Sequence, residues 1–181
     1  MKEKIKKICE ICLIVSVFNT PIFANEVLYF MPYEQKEAFN ALKNAISKAQ
    51  NDIKISVYSF TNNELAKALR DSAKRGVKIS IIYDKESNIK NANSTIGYLA
   101  KYNNISVCLL SGKLSANKKF YGLMHQKMAI IDQDLLILGS ANWSKNAFEN
   151  NYETLLFTHQ KGFVQKALAA YERMKKTCAG F

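Results

Sequence analysis

Between positions 125 and 142 the chain carries His125-x-Lys127-x4-Asp132-x6-Gly139-Ser140-x-Asn142. On a strand, residues two apart leave the same face, so His125 and Lys127 set an imidazole beside an ammonium. An imidazole titrates near neutrality, so it can attack phosphorus when neutral or protonate a leaving oxygen when charged. The ammonium suits a phosphate. Ser140 and Asn142 follow a glycine that permits close backbone approach, and both can donate hydrogen bonds to phosphate oxygens. Such an imidazole also needs a carboxylate to fix its tautomer. Asp132 heads a tight turn, and its expected role is to hold the hairpin, because a carboxylate aimed at phosphate would repel it. The chemistry these types and spacings describe is attack on a phosphodiester.

The elements that must position these groups alternate with almost no linker. Short apolar or β-branched runs at 27–31, 53–60, 77–83 and 105–110 read as strands, two more flank the turn at 132–134, and another covers 152–158. Helical spacing appears over 34–50, from Leu65 through Ala73 with Thr61 or Asn62 as its cap and Gly76 as its stop, over about 91–102, and over 164–174. A polar loop spans 111–121. This alternation predicts one α/β domain, a layered α/β/α sandwich, and the tight hairpin makes its sheet mixed rather than all parallel.

The first 24 residues stand apart. Lys2, Lys4, Lys6 and Lys7 precede an apolar stretch from Ile8 to Phe18, interrupted by Glu10 and Ser16. Eleven helical residues cover roughly 16 Å, short of a bilayer core of about 30 Å. Residues 1–24 are therefore expected to be a signal peptide cut after Ala24 or an uncleaved membrane tether, with 25–181 as the folded domain. The whole chain carries +11, and +9 stays with the domain. That excess suits a polyanion. Cys9 and Cys12 belong to the leader as apolar filler. Cys108 and Cys178 remain, compatible with one disulfide in an oxidising compartment or with two buried thiols.

The motif is that of the phospholipase D superfamily. Six fixed residue types would coincide by chance at roughly one position in 10⁷ to 10⁸. Trp143, Ser144, Ala147, Asn151 and Glu153 continue it. Upstream, Val57-Tyr58-Ser59-Phe60-Thr61 and the run from Arg75-Gly76-Val77-Lys78 to Asp84 resemble the strands of small bacterial Nuc-type endonucleases. The resemblance implies a phospholipase D-like fold and a covalent phosphohistidine that water hydrolyses, with no metal or cofactor. It also makes Glu153 the acid that orients the imidazole. A site of this kind uses two histidines, one as nucleophile and one as general acid. The chain has only two, His125 and His159. His159-Gln160-Lys161 echoes the motif, but Lys166 stands where an aspartate is needed and no Gly-Ser-x-Asn follows. One motif per chain then requires a homodimer in which each copy supplies one His125.

The substrate is less determined. Lys118, Lys119, Phe120 and Tyr121 set cations beside aromatics just ahead of the motif, as a groove that tracks a phosphodiester backbone and stacks bases would want. Phe60 is expected on the rim of the pocket, and Trp143 either stacks on a base or packs the loop after Asn142. Asp84 and Glu86 lie close in sequence but lack further metal ligands at suitable spacing. The leading expectation is an exported endonuclease, periplasmic or membrane-associated, that binds nucleic acid. DNA comes foremost, single strands and RNA fall within its reach, and sequence preference is slight. The alternatives are a phospholipase D acting on membrane lipids and a non-catalytic DNA-binding protein of an uptake apparatus.

Overall fold

The computed structural model describes residues 26–181, so the expected leader, Cys9 and Cys12 lie outside the described residues. The chain runs through β1 (Val27–Met31), α1 (Gln35–Lys48), β2 (Asp52–Val57), α2 (Asn63–Lys74), β3 (Lys78–Asp84), α3 (Lys85–Ile89), α4 (Ile96–Leu99), β4 (Ile105–Leu110), β5 (Lys127–Ile131), β6 (Leu135–Gly139), α5 (Lys145–Glu149), β7 (Glu153–Thr158), α6 (Lys161–Lys175) and β8 (Ala179–Gly180). The strands form one eight-stranded sheet in the order β1-β7-β6-β5-β2-β3-β4-β8. Strands β2, β3 and β4 are parallel neighbours and every other pairing is antiparallel, so the sheet is mixed as its hairpin predicts.

Local chemistry explains the elements. α1 buries Ala38, Leu42 and Ile46, four residues apart along one stripe. α2 starts where the Asn62 side chain accepts from the Glu64 and Leu65 amides, and its end passes into Gly76 at φ +103°, a conformation that costs a side chain but not glycine. The three-residue β5–β6 connection opens on a turn closed by the Asp134 amide on the Ile131 carbonyl, and both its central residues, Asp132 and Gln133, are at positive φ, the turn sense that matches right-handed strand twist. One face of the sheet, with Ile55, Ile81 and Ala129, packs into the main core with α1, α2 and α5. The other, with Met128, Ile130 and Leu136, packs into a smaller core with Val164 and Tyr171 of α6.

Some elements depart from expectation. Of the helix expected over about 91–102 only the short α4 forms, because Asn91 closes a polar turn on Asn93 and Ser94 at its start, and α3 lies ahead of that range. β2 ends at Val57 rather than at 60, and the Tyr58 amide carries its pairing with the β5 side one residue further by donating to the Gln126 carbonyl. α5, capped by Ser144, and the two-residue β8 had no strong pattern. Cys108 of β4 and Cys178 form a disulfide, which ties the segment after α6 to the sheet edge where β8 pairs with β4.

These pairings bring to one edge of the sheet the carboxyl ends of β1, β2, β3, β4 and β6 and the amino ends of β5, β7 and β8. The loop from β4 to β5 crosses this edge, the usual place for a ligand in an open α/β sheet.

Candidate active site

His125 lies two residues ahead of β5 and is exposed. Lys127, the first residue of β5, is 6% exposed. The Lys127 ammonium stands 3.0 and 3.1 Å from the two ring nitrogens of His125 and donates to the His125 carbonyl at 2.9 Å. No carboxylate forms an ion pair with it among the described residues. Burial lowers the Lys127 pKa from the ordinary lysine value, and the nearby negative charge of Glu153 opposes that shift. The ammonium beside the imidazole leaves a cation and a nucleophilic nitrogen side by side, where one phosphate group can meet both.

The β6–β7 end supplies the neighbouring groups. The Ser140 amide donates to the Thr154 carbonyl at 3.1 Å, and the Ser140 hydroxyl oxygen accepts from the Thr154 amide at 3.0 Å, which leaves its proton to donate outward. Gly139 is needed here because a Cβ would run into the Thr154 carbonyl oxygen. The close backbone approach it permits is therefore to β7. Asn142 is half-buried, and its Oδ1 is buried without a hydrogen-bond partner. A buried amide oxygen left unpaired costs about 1–3 kcal/mol and calls for a donor, whereas the group of Asn142 able to meet a phosphate oxygen is its Nδ2.

Several expected site residues sit elsewhere. Asp132 is at the far end of β5, roughly 17 Å from Lys127 at about 3.3 Å per residue. Its carboxylate accepts from the backbone amides of Gln50, Asn51 and Asp52, so it pins the α1–β2 turn to the hairpin and does not reach the reacting atoms. Glu153 is at the correct edge, half-buried, but its side chain accepts from Asn151 at 3.3 Å and makes no hydrogen bond to His125 within the chain. Phe60 and Trp143 are not on a pocket rim. They are 0% and 1% exposed and meet edge to face at 5.1 Å, because the β2 and β6 extensions bridge there and turn both rings into the main core. Neither ring can stack on a base.

Lys118, Lys119, Phe120 and Tyr121 are exposed on a finger closed at its neck by reciprocal bonds between Gly112, Lys113 and Gly122. A Cβ on Gly112 would collide with the Gly122 backbone, so the neck requires glycine. Phe120 and Tyr121 are each 63% exposed, four to five residues ahead of His125. His159 bonds Asp134 at 2.8 Å beside the β5–β6 turn, at the edge opposite His125.

Sequence reading missed three residues. Tyr58 follows β2, and its ring lies 4.4 Å from the imidazole and 5.1 Å from the Lys127 ammonium. Asp84 ends β3 and accepts from the Met124 amide, next to His125, while buried Asn88 donates to the Tyr58 and Asp84 carbonyls. The available signal was the pairing of Val57 with Lys127, which only the sheet register reveals.

A site with this edge, this motif and this fold has known counterparts. Residues 42–175 match the family described as cardiolipin synthase, PLD-like domain, and the chain belongs to that phospholipase D-like family. Within it the chain is of the Nuc type. It is 52% identical to NucT from Helicobacter pylori, with a TM-score of 0.85 over 87% of this chain and 99% of that one. Nuc from Salmonella typhimurium shares the fold at a TM-score of 0.71 and 23% identity, over 87% of this chain and 97% of that one. The chain is also 30% identical to the mitochondrial cardiolipin hydrolase of Homo sapiens over 77% of its own length and 51% of the relative's. It spans roughly half to three-fifths of the mammalian relatives of that name.

Proposed function

We propose that this protein is an exported, metal-independent endonuclease that cuts the phosphodiester bonds of DNA, single strands in particular, and also RNA, with little sequence preference. The observation that carries the reading is the buried Lys127 ammonium, unpaired by any carboxylate and held against His125 at the base of a basic, aromatic finger. An anion is the missing partner, and a phosphodiester supplies it.

In this reading a neutral His125 attacks phosphorus, a P–N bond forms, and the P–O bond to the leaving strand breaks. A protonated second histidine gives its proton to that leaving oxygen. Water then attacks the phosphohistidine and passes a proton to the second histidine as the P–N bond breaks, which returns both rings to their starting states. Lys127, Ser140 and Asn142 hold the phosphate oxygens, and Glu153 supports the positive charge. The second histidine is His125 of another copy, since His159 is at the opposite edge of the sheet. A surface suited to that copy adjoins the site. Phe30, Tyr33 and Tyr152 are 50%, 77% and 79% exposed and line a recess of about 200 Å³ together with Ser140 and Glu153. Export is supported by the Cys108–Cys178 disulfide, a bond that persists in oxidising compartments. The N-terminal segment is the expected means, as signal peptide or as tether.

One observation favours a second reading, hydrolysis of phospholipids. Leu114, Phe120 and Leu123 are exposed on or beside the finger together with its lysines, as a surface for an anionic bilayer would be. The test is turnover of single-stranded DNA, duplex DNA, RNA and cardiolipin vesicles in excess EDTA, beside His125→Ala. The proposal expects nucleic acid to be cut, single strands fastest, and the variant to be inactive. Cleavage of lipid alone selects the second reading, and tight DNA binding without turnover selects a non-catalytic DNA-binding protein.

A further inference from the structure

Tyr58 is held more firmly than a residue just past a strand needs to be. Its amide donates to the Gln126 carbonyl at 2.8 Å, and its carbonyl accepts from Asn88 Nδ2 at 2.8 Å. Asn88 is 1% exposed, its amide also donates to the Asp84 carbonyl, and its Oδ1 accepts from Ser94. Asp84, likewise 1% exposed, accepts from the Met124 amide through its carboxylate at 2.9 Å. Tyr58 and the residue before His125 thus hang from the same buried polar frame. That frame keeps the phenol ring 4.4 Å from the imidazole, tilted by 55°, with the Lys127 ammonium 5.1 Å from its centroid. Among the described residues the Tyr58 hydroxyl makes no hydrogen bond, so the ring is what the frame positions.

We infer that Tyr58 is a positioning residue for His125, its ring acting as the wall that sets the plane and edge the imidazole presents to phosphorus. This rests on the proposed role of His125 as nucleophile. His125 is exposed two residues ahead of β5, and its ring would otherwise be steered only by the flexible four-carbon stem of Lys127. A ring wall removes the rotamers in which the nitrogen points away. The π face also tolerates a cation beside it, so the same wall serves the neutral and the protonated imidazole of the two copies. A displacement of about 1 Å at a nucleophile costs up to roughly 100-fold in rate.

The test uses the full chain and bis(4-nitrophenyl) phosphate, a small phosphodiester that makes no demand on the finger. Tyr58→Leu is expected to lower kcat about 10- to 100-fold while KM changes less than about threefold and the melting temperature is nearly unchanged. Tyr58→Phe, which keeps the ring, should restore kcat to within about twofold of the native value. Tyr58→Met serves as the apolar variant if Tyr58→Leu does not fold. Unchanged kcat in a folded apolar variant overturns the inference, as does a Phe variant no better than Leu, or a loss explained by the unfolded fraction. His125→Ala separates the two levels: if it keeps native turnover, the proposed nucleophile itself is wrong, whereas an inactive His125→Ala beside an unimpaired Tyr58→Leu removes only the role of Tyr58. No turnover by the native chain removes both.

Discussion

The Lys127 ammonium lies within 3.1 Å of both ring nitrogens of His125, and the residue is only 6% exposed. Burial disfavours the charged lysine, so the contact is costly to the fold.

Lys127→Met should therefore raise stability while abolishing turnover. Removing an unpaired buried charge worth about 1 kcal/mol raises Tm by roughly 2–4 °C in a domain of this size, and calorimetry beside an activity assay reads both effects. The pH dependence has a definite sign. The folded pKa of Lys127 is depressed below the unfolded one, so the native chain gains stability as pH rises between the two values, and Lys127→Met should lack that gain. The alkaline limb of the activity profile should fall below the ordinary lysine range, and Glu153→Gln should move it lower still, because the glutamate opposes the depression.

Asp132→Ala should damage the fold and spare the chemistry. It leaves the Gln50, Asn51 and Asp52 amides without their acceptor at the edge opposite His125. A loss of about 2–3 kcal/mol in denaturant melts, with kcat within about threefold at a temperature where the variant is folded, is the expected result.

On the finger, charge and aromatic surface act separately. Replacing Lys118 and Lys119 by alanine should lower the slope of log K against log salt for a single strand by about 1.4, at roughly 0.7 per phosphate contact. Phe120→Ala or Tyr121→Ala should weaken binding by about 1–3 kcal/mol with the slope kept. Phe60→Ala, in contrast, should show mainly as a lower Tm, since its ring is in the core.

Reducing the Cys108–Cys178 bond, which closes a separation of 70 residues, should cost about 2–4 kcal/mol. The matching variant, Cys178→Ser, should melt at the same lowered temperature with or without reductant.

What the amino-acid sequence determined by itself is whatever depends on near neighbours. The period-two and period-3.6 patterns placed β1, α1, α2, β3 and β4, and the turn at Asp132 and Gln133 made the sheet mixed. The spacing from His125 to Asn142 announced phosphoryl chemistry, because side chains that act together within one hairpin are a fixed number of residues apart. Tertiary structure alone decided the rest. Phe60 reads as rim and Trp143 as either base-stacking or packing because an aromatic at a strand end fits either environment, and only the bridge between their segments turns both inward. Asp132 shares a strand with Lys127, yet the length of β5 carries it to the opposite edge, where amides 80 to 82 residues away claim its carboxylate. Tyr58 meets His125, and Asp84 and Asn88 brace Met124 and Tyr58 beside it, only through the pairing of β2 with β5 and β3, contacts between residues tens of positions apart for which local pattern holds no signal.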